Sequence, residues 1–167
     1  MTDLPLLVEF TVEGDPVGQG SKSISKSGHM YDANAKTLKP WRKKMSDAAR
    51  EAWSAAGHSS PFAGPVHVDT LFRFTPSFSD PDRVFASTRQ DGDKLTRAAY
   101  DSLKVAGVLR DDSLVCRWGG GKRFCAFGEE AGVTVSVYSL AEVEERLSLA
   151  RRLARMRRPA PPKRVVM

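Results

Sequence analysis

The sequence predicts an α+β fold: one domain in which a small mixed β-sheet packs with two to three helices. Three observations carry this. β-branched, partly alternating runs recur at 6–13, 66–74 and 133–138. Apolar residues at helical spacing fill 34–56 and 91–106. Strands and helices are interspersed along a chain of 167 residues, a length suited to one core that needs no disulfide or zinc staple.

Taken in order, Leu6 to Glu13 reads as a strand ending at Gly14, and Gly14 to Gly28, rich in Gly, Ser and Lys, as a mobile loop. In the next stretch Leu38, Trp41, Met45, Ala49 and Trp53 share a helical face. Pro40 places the firm start of that helix at the proline, which a first turn tolerates, and Gly57 ends it. Val66 to Phe74 is a second strand, and Thr75 to Gln90, with Pro76 and Pro81, a loop. A second helix runs from Asp91 to Ala106 and stops at Gly107. Leu114–Trp118 and Phe124–Phe127 read as the arms of a hairpin turned by Gly119-Gly120-Gly121-Lys122-Arg123. Val133 to Tyr138 is a strand, and Ser139-Leu140-Ala141-Glu142 a capping box that opens a last helix. Pro159, Pro161 and Pro162 forbid its continuation. The chain thus divides into a body at 1–140, a C-terminal helix at 141–158, and a basic, Pro-rich tail at 159–167 expected to be disordered.

The formal charge is +6. Residues 151–167 hold seven basic residues and no acid, which leaves the first 150 residues at −1. Residues 20–50 carry eight basic residues against Asp32 and Asp47. Such segments suit a polyanion, nucleic acid first, and they equally suit a solvated face with a loose tail. Lys22, Lys26, Lys36, Arg42 and Lys43 are the candidates for phosphate contacts, which position DNA without reading its sequence. No apolar run is long enough to span a membrane, and no secretory signal is evident at the N-terminus. With only Cys116 and Cys125, read as buried free thiols, a reducing cytoplasm is the expected compartment. Trp41 and Trp53 read as helix core rather than base-stacking platforms. His29, His58 and His67 lack metal-ligand spacing. Neither Gly18-Gln19-Gly20 nor the later glycine run completes a phosphate loop.

Chemistry is densest between Asp91 and Asp112. Carboxylates there could hold a hard divalent cation, which takes oxygen ligands and can neutralise charge on a phosphodiester. Arg97, four residues after Asp93, shares its helical face and could pair with it or contact phosphate. The plainer alternatives are an N-cap at Asp91, a turn at Asp111-Asp112 and an exposed Asp93–Arg97–Asp101 ladder. A helix of this length separates its ends by roughly 20 Å, so Asp93 and Asp112 meet only if the chain doubles back.

The run Asp91-x-Asp93-x-Leu95-x-Arg97-x-x-x-Asp101-Ser102-Leu103, then Gly107-Val108-x-x-Asp111-Asp112, resembles the signature of RusA-type Holliday junction resolvases. Weaker similarity extends over about residues 6–138. The resemblance implies a small homodimeric endonuclease of phage or prophage type that resolves four-way DNA junctions by phosphodiester hydrolysis. It further implies dependence on Mg²⁺, or Mn²⁺, held by Asp91, Asp93 and Asp112. The family's essential lysine falls on Arg97, which keeps the charge but stays protonated, and its asparagine falls on Lys94, which could contact the scissile strand. These two departures leave open a catalytically weak or silent structure-selective DNA-binding protein. A nuclease for other branched DNA is the remaining alternative.

Overall fold

The computed structural model describes residues 4–20, 22–24, 27–32, 34–87 and 89–156. Its four-stranded sheet comprises β1 (Leu6–Glu13), β4 (Val66–Phe74), β5 (Val115–Phe124) and β6 (Gly132–Ser139), in the order β1-β6-β4-β5. β6 pairs antiparallel with both β1 and β4, and β5 lies parallel to β4 at the open edge. The sheet is therefore mixed, and the α+β expectation holds.

Alternation explains the inner strands. Val8, Phe10 and Val12 of β1, Val66, Val68, Phe72 and Phe74 of β4, and Val133, Val135 and Val137 of β6 are buried and form one apolar surface. Helix α1 (Ala35–Ala55) covers it with Leu38, Trp41, Met45, Ala49 and Trp53, the stripe that the spacing predicts. Helix α2 (Gly92–Ala106) adds Leu95, Ala98, Ala99, Leu103 and Ala106. Burying each of the larger side chains contributes about 1.5–3 kcal/mol, so these stripes, more than helix propensity, hold the helices in place. The alanines on α2 permit close approach to α1, and Arg42 joins Asp101 across that contact at 3.1 Å.

Four expectations are corrected. The loop at 14–28 contains a short strand: β2 (Lys22–Ile24) pairs antiparallel with β3 (Met30–Asp32). Helix α1 begins at Ala35, ahead of Pro40. Proline removes only its own N–H, while the Asn34 carbonyl accepts from the amides of Thr37 and Leu38, each at 3.0 Å, and Leu38 is buried. The capping box does not close on Glu142; the Ser139 hydroxyl accepts from the amide of Ala141 at 3.2 Å, ahead of helix α3 (Ala141–Met156). Most consequentially, the glycine run turns no hairpin. Gly119, Gly120 and Gly121 lie inside β5, opposite Asp69, Thr70 and Leu71 of β4. Gly120 has φ +108°, and a Cβ on it would overlap the Thr70 carbonyl oxygen. Glycine here serves close backbone approach within a strand.

Because no hairpin forms, Cys116 and Cys125 do not face each other across one, and Cys116 is exposed rather than buried. Trp41 and Trp53 are core, as expected. Residues 157–167, which include the tail, lie outside the described residues.

Candidate active site

The first turn of α2 is fixed from two sides. Lys122, near the end of β5, donates its ammonium to the carbonyls of Arg89 (3.2 Å) and Gln90 (2.7 Å). The Gln90 side chain in turn accepts from the Gly18 amide, and Gln19 N–H donates to the Lys94 carbonyl at 3.0 Å. The segment leading to the basic β2–β3 hairpin is thereby tied to the helix that carries Asp93.

At the other end of α2, Gly107 adopts a left-handed conformation (φ 77°) and reverses the chain, as a C-terminal glycine does. A single 3-10 turn at Asp112–Leu114 then enters β5. Here the two adjacent aspartates separate in role. Asp111 accepts from the Ser113 amide at 3.0 Å and from Lys104 at 2.6 Å, and the lysine, followed by that amide, holds its carboxyl far below the usual carboxylate range. Asp112 sits 3.5 Å from Lys104 and faces the groove between α2 and β5.

That groove is a cleft of about 730 Å³. One wall is a face of α2, with Asp93, Thr96, Arg97 and Tyr100; the other is β5 and its 3-10 turn, with Asp112, Trp118 and Lys122. Thr70 and Phe72 of β4 lie between them. The chain doubles back along α2, which returns Lys122, rather than Asp112, to the start of the helix. With Lys122 beside the start of α2 and Asp112 beside its last turn, helix and strand run antiparallel, and Asp93 and Asp112 border one cavity from its two ends.

The three-carboxylate arrangement expected of Asp91, Asp93 and Asp112 is not assembled. Asp91 pairs with Lys94 at 2.8 Å, which lowers its carboxyl pKa, and it does not line the cleft. Among the described residues no group of three His, Cys, Asp or Glu side chains is gathered for a metal. The cleft carries two carboxylates, but at its opposite ends: Asp93 at the first turn of α2 and Asp112 beside Lys104 near its last, so each offers oxygen ligands separately, with substrate phosphate and water left to complete a Mg²⁺ shell. In donor chemistry the cleft suits such a cation.

The expected DNA contacts are scattered. Arg42 is committed to Asp101, Lys43 to Asp47, and Lys94 to Asp91. The Asp93–Arg97–Asp101 ladder does not form, since Asp101 turns to Arg42. Lys36 is exposed on the first turn of α1, Lys22 lies in β2, and Lys26 is outside the described residues.

Three cleft residues escape a reading of the sequence. The sequence places Lys122 in a turn, whereas it lies in β5. Tyr100 stands on the inner face of α2; its hydroxyl is buried with no hydrogen-bond partner, and burial, followed by the charge of Asp69, pushes its pKa up to about 12. Trp118 is 71% exposed at the cleft's edge. The only available signal for Tyr100 was its position, seven residues after Asp93 and so on the same helical face.

No helix of the described residues is long and apolar enough to cross a membrane. A comparison with curated proteins finds no match. A comparison with protein-family models matches residues 13–138 to the family described as Endodeoxyribonuclease RusA. The match takes in the whole cleft, the helix that carries Asp93 and Arg97, and the glycine-bearing strand. The chain belongs to the RusA endodeoxyribonuclease family.

Proposed function

We propose that this protein is a metal-dependent endonuclease that hydrolyses phosphodiester bonds at four-way DNA junctions, acting as a homodimer. One observation carries the site assignment: Asp93 and Arg97 of α2 and Asp112 of the turn before β5 border one cleft. Asp93 and Asp112 would each offer oxygen ligands to Mg²⁺ or Mn²⁺ there, with substrate phosphate and water completing the shell. Such an ion neutralises charge on the phosphate and acidifies water at neutral pH.

The chain's own residues supply the rest. The Arg97 guanidinium faces the cleft and stays protonated, so it stabilises charge on the phosphate and is not a proton source. The Tyr100 phenol, with its pKa at about 12, keeps its proton across neutral pH, and its buried hydroxyl has no partner within the wall of the cleft. Lys122 holds the start of α2 and so positions Asp93. A two-fold dimer, which the family resemblance suggests, would present two such clefts to opposed strands of a junction.

The test is nicking of a synthetic four-way junction with and without Mg²⁺. Asp93→Asn should abolish cutting while leaving the fold intact by circular dichroism. Undiminished cutting by that variant would remove the site assignment. A binding-only reading is favoured by one feature, the Lys94–Asp91 pair that occupies the third expected carboxylate. Tight junction binding with no cutting in either Mg²⁺ or Mn²⁺ would select it.

A further inference from the structure

Trp118 is a large apolar side chain that the fold leaves exposed at the cleft. The other two tryptophans, Trp41 and Trp53, are 6% and 5% exposed, whereas Trp118 is 71% exposed. It lies on β5, the open edge of the sheet, in register with Val68. Strand alternation puts it on the side of Gly120, Lys122 and the buried Phe124, hence toward the helices and the cleft. The three residues that follow it are glycines, so on its C-terminal side no side chain of its own strand screens the indole until Lys122. The cleft it borders holds Arg97, Lys122 and the two carboxylates.

A bare indole lining the same cleft as Arg97, a cation suited to phosphate, matches the chemistry of a nucleotide: ring against base, cation against backbone. We propose that Trp118 stacks on a nucleobase next to the scissile phosphate, one unstacked where DNA strands exchange, and so contributes to selecting branched over continuous duplex. This rests on the junction-nuclease reading above. In a continuous duplex the base faces are already stacked on their neighbours and closed to the ring.

The burial of Trp41 and Trp53 makes the experiment selective, because a change in tryptophan emission on binding reports chiefly Trp118. The full-length protein is titrated with a fluorescein-labelled four-way junction in EDTA, following junction anisotropy and protein emission together. Trp118→Ala and Trp118→Phe are titrated alongside, with linear duplex as the comparison. Stacking predicts quenching of wild-type emission in step with the anisotropy rise, and no such quenching in either variant. Loss of one stacked base weakens junction binding of Trp118→Ala by roughly 5- to 150-fold. Trp118→Phe recovers much of that loss, and duplex binding changes little.

Junction binding with unchanged emission and unchanged affinity in Trp118→Ala would overturn the proposal while leaving the nuclease reading standing. Emission that shifts to the blue with protein concentration alone would overturn it in favour of a second copy of the chain covering Trp118. Wild-type protein that raises no anisotropy would remove the junction reading, and the stacking role with it. Unchanged dependence of cutting on Asp93, beside a Trp118→Ala variant that binds normally, would separate the two failures.

Discussion

Substitution of the three consecutive glycines of β5 by alanine, one at a time, tests both the strand and the floor of the cleft. At Gly120 two costs coincide. Its φ of +108° lies where L-residues are strained, and an added Cβ would overlap the Thr70 carbonyl oxygen while lying 2.6 Å from its carbon and 2.7 Å from the Thr70 nitrogen. These are backbone atoms of β4, held between two strands, and they cannot swing aside. Backbone strain and overpacking each cost about 1–3 kcal/mol, so Gly120→Ala should lose about 2–6 kcal/mol. That is a large share of the roughly 5–15 kcal/mol by which a domain is stable. At Gly121 nothing lies within 4 Å of the added methyl and φ is not positive, so Gly121→Ala should stay within about 1 kcal/mol of wild type. Gly119 falls between: its Cβ would overlap a carboxylate oxygen of Asp69, a side-chain end that can rotate away at the expense of its 3.1 Å contact with His67. Urea denaturation followed by circular dichroism gives the three values. The order Gly120, Gly119, Gly121, from most to least damaging, is the expected result. Equal costs at Gly120 and Gly121, or a Gly120→Ala loss below about 1 kcal/mol, would refute the close β4–β5 approach on which the cleft's floor depends.

Asp112→Asn should lower junction cutting by on the order of a hundredfold or more, the scale of a lost transition-state charge contact, whereas Asp111→Asn should chiefly lower the melting temperature and keep most of the cutting. Steady-state nicking and thermal melts of both variants decide this, and equal loss of cutting would remove the distinction between the two aspartates. Arg42→Ala should cost up to about 1 kcal/mol through its pair with Asp101, with the salt slope of junction binding unchanged; a slope reduced by about one would make Arg42 a phosphate contact instead. Glu129, clasped by Arg123 and by the Ala126 amide, has its pKa lowered from 4.5 to about 2. Its stabilising effect is therefore complete above about 4.5 and is lost as pH falls toward about 2. The melting-temperature gap between wild type and Glu129→Gln should close across that window, and a gap independent of pH would contradict the assignment.

How far the fold was legible depended on whether its causes are local. β1 and β4 are bounded as their alternation indicates, because a strand with one buried face writes its period into its side chains. α1 and α2 were readable from apolar spacing for the same reason. The glycine run defeated the reading because the cause of those glycines is not local. A turn and a close approach both call for Gly, and only the neighbouring backbone of Thr70, some fifty residues away, separates the two. The β2–β3 pair has no legible period because each strand is only three residues long. At the site, Asp93, Arg97 and Asp112 were legible through their spacing and the resemblance it carried. Tyr100, Trp118 and Lys122 were not, since a groove between a helix and the strand antiparallel to it has no signature in either element alone.

The distribution of ion pairs sharpens what the charged residues of this chain are for. A basic segment around an acidic centre suggested cations reserved for phosphate, yet many of them are internally engaged: Lys94 with Asp91, Lys104 with Asp111 and Asp112, Arg42 with Asp101, Lys43 with Asp47. Asp93 and Arg97 are different. They are four residues apart on one helix face, a spacing at which a pair gains about 0.2–0.5 kcal/mol, and among the described residues they form no ion pair with each other or with any other side chain. Each instead faces the same cleft. So small a pairing energy is easily outweighed by a phosphate and its counter-ion, whereas Asp101, four residues beyond Arg97, is already drawn to α1. The i,i+4 geometry therefore places opposite charges side by side without committing them, one to a cation and one to the phosphate it accompanies. Net charge says little about this protein; which charges the fold leaves unspent says more.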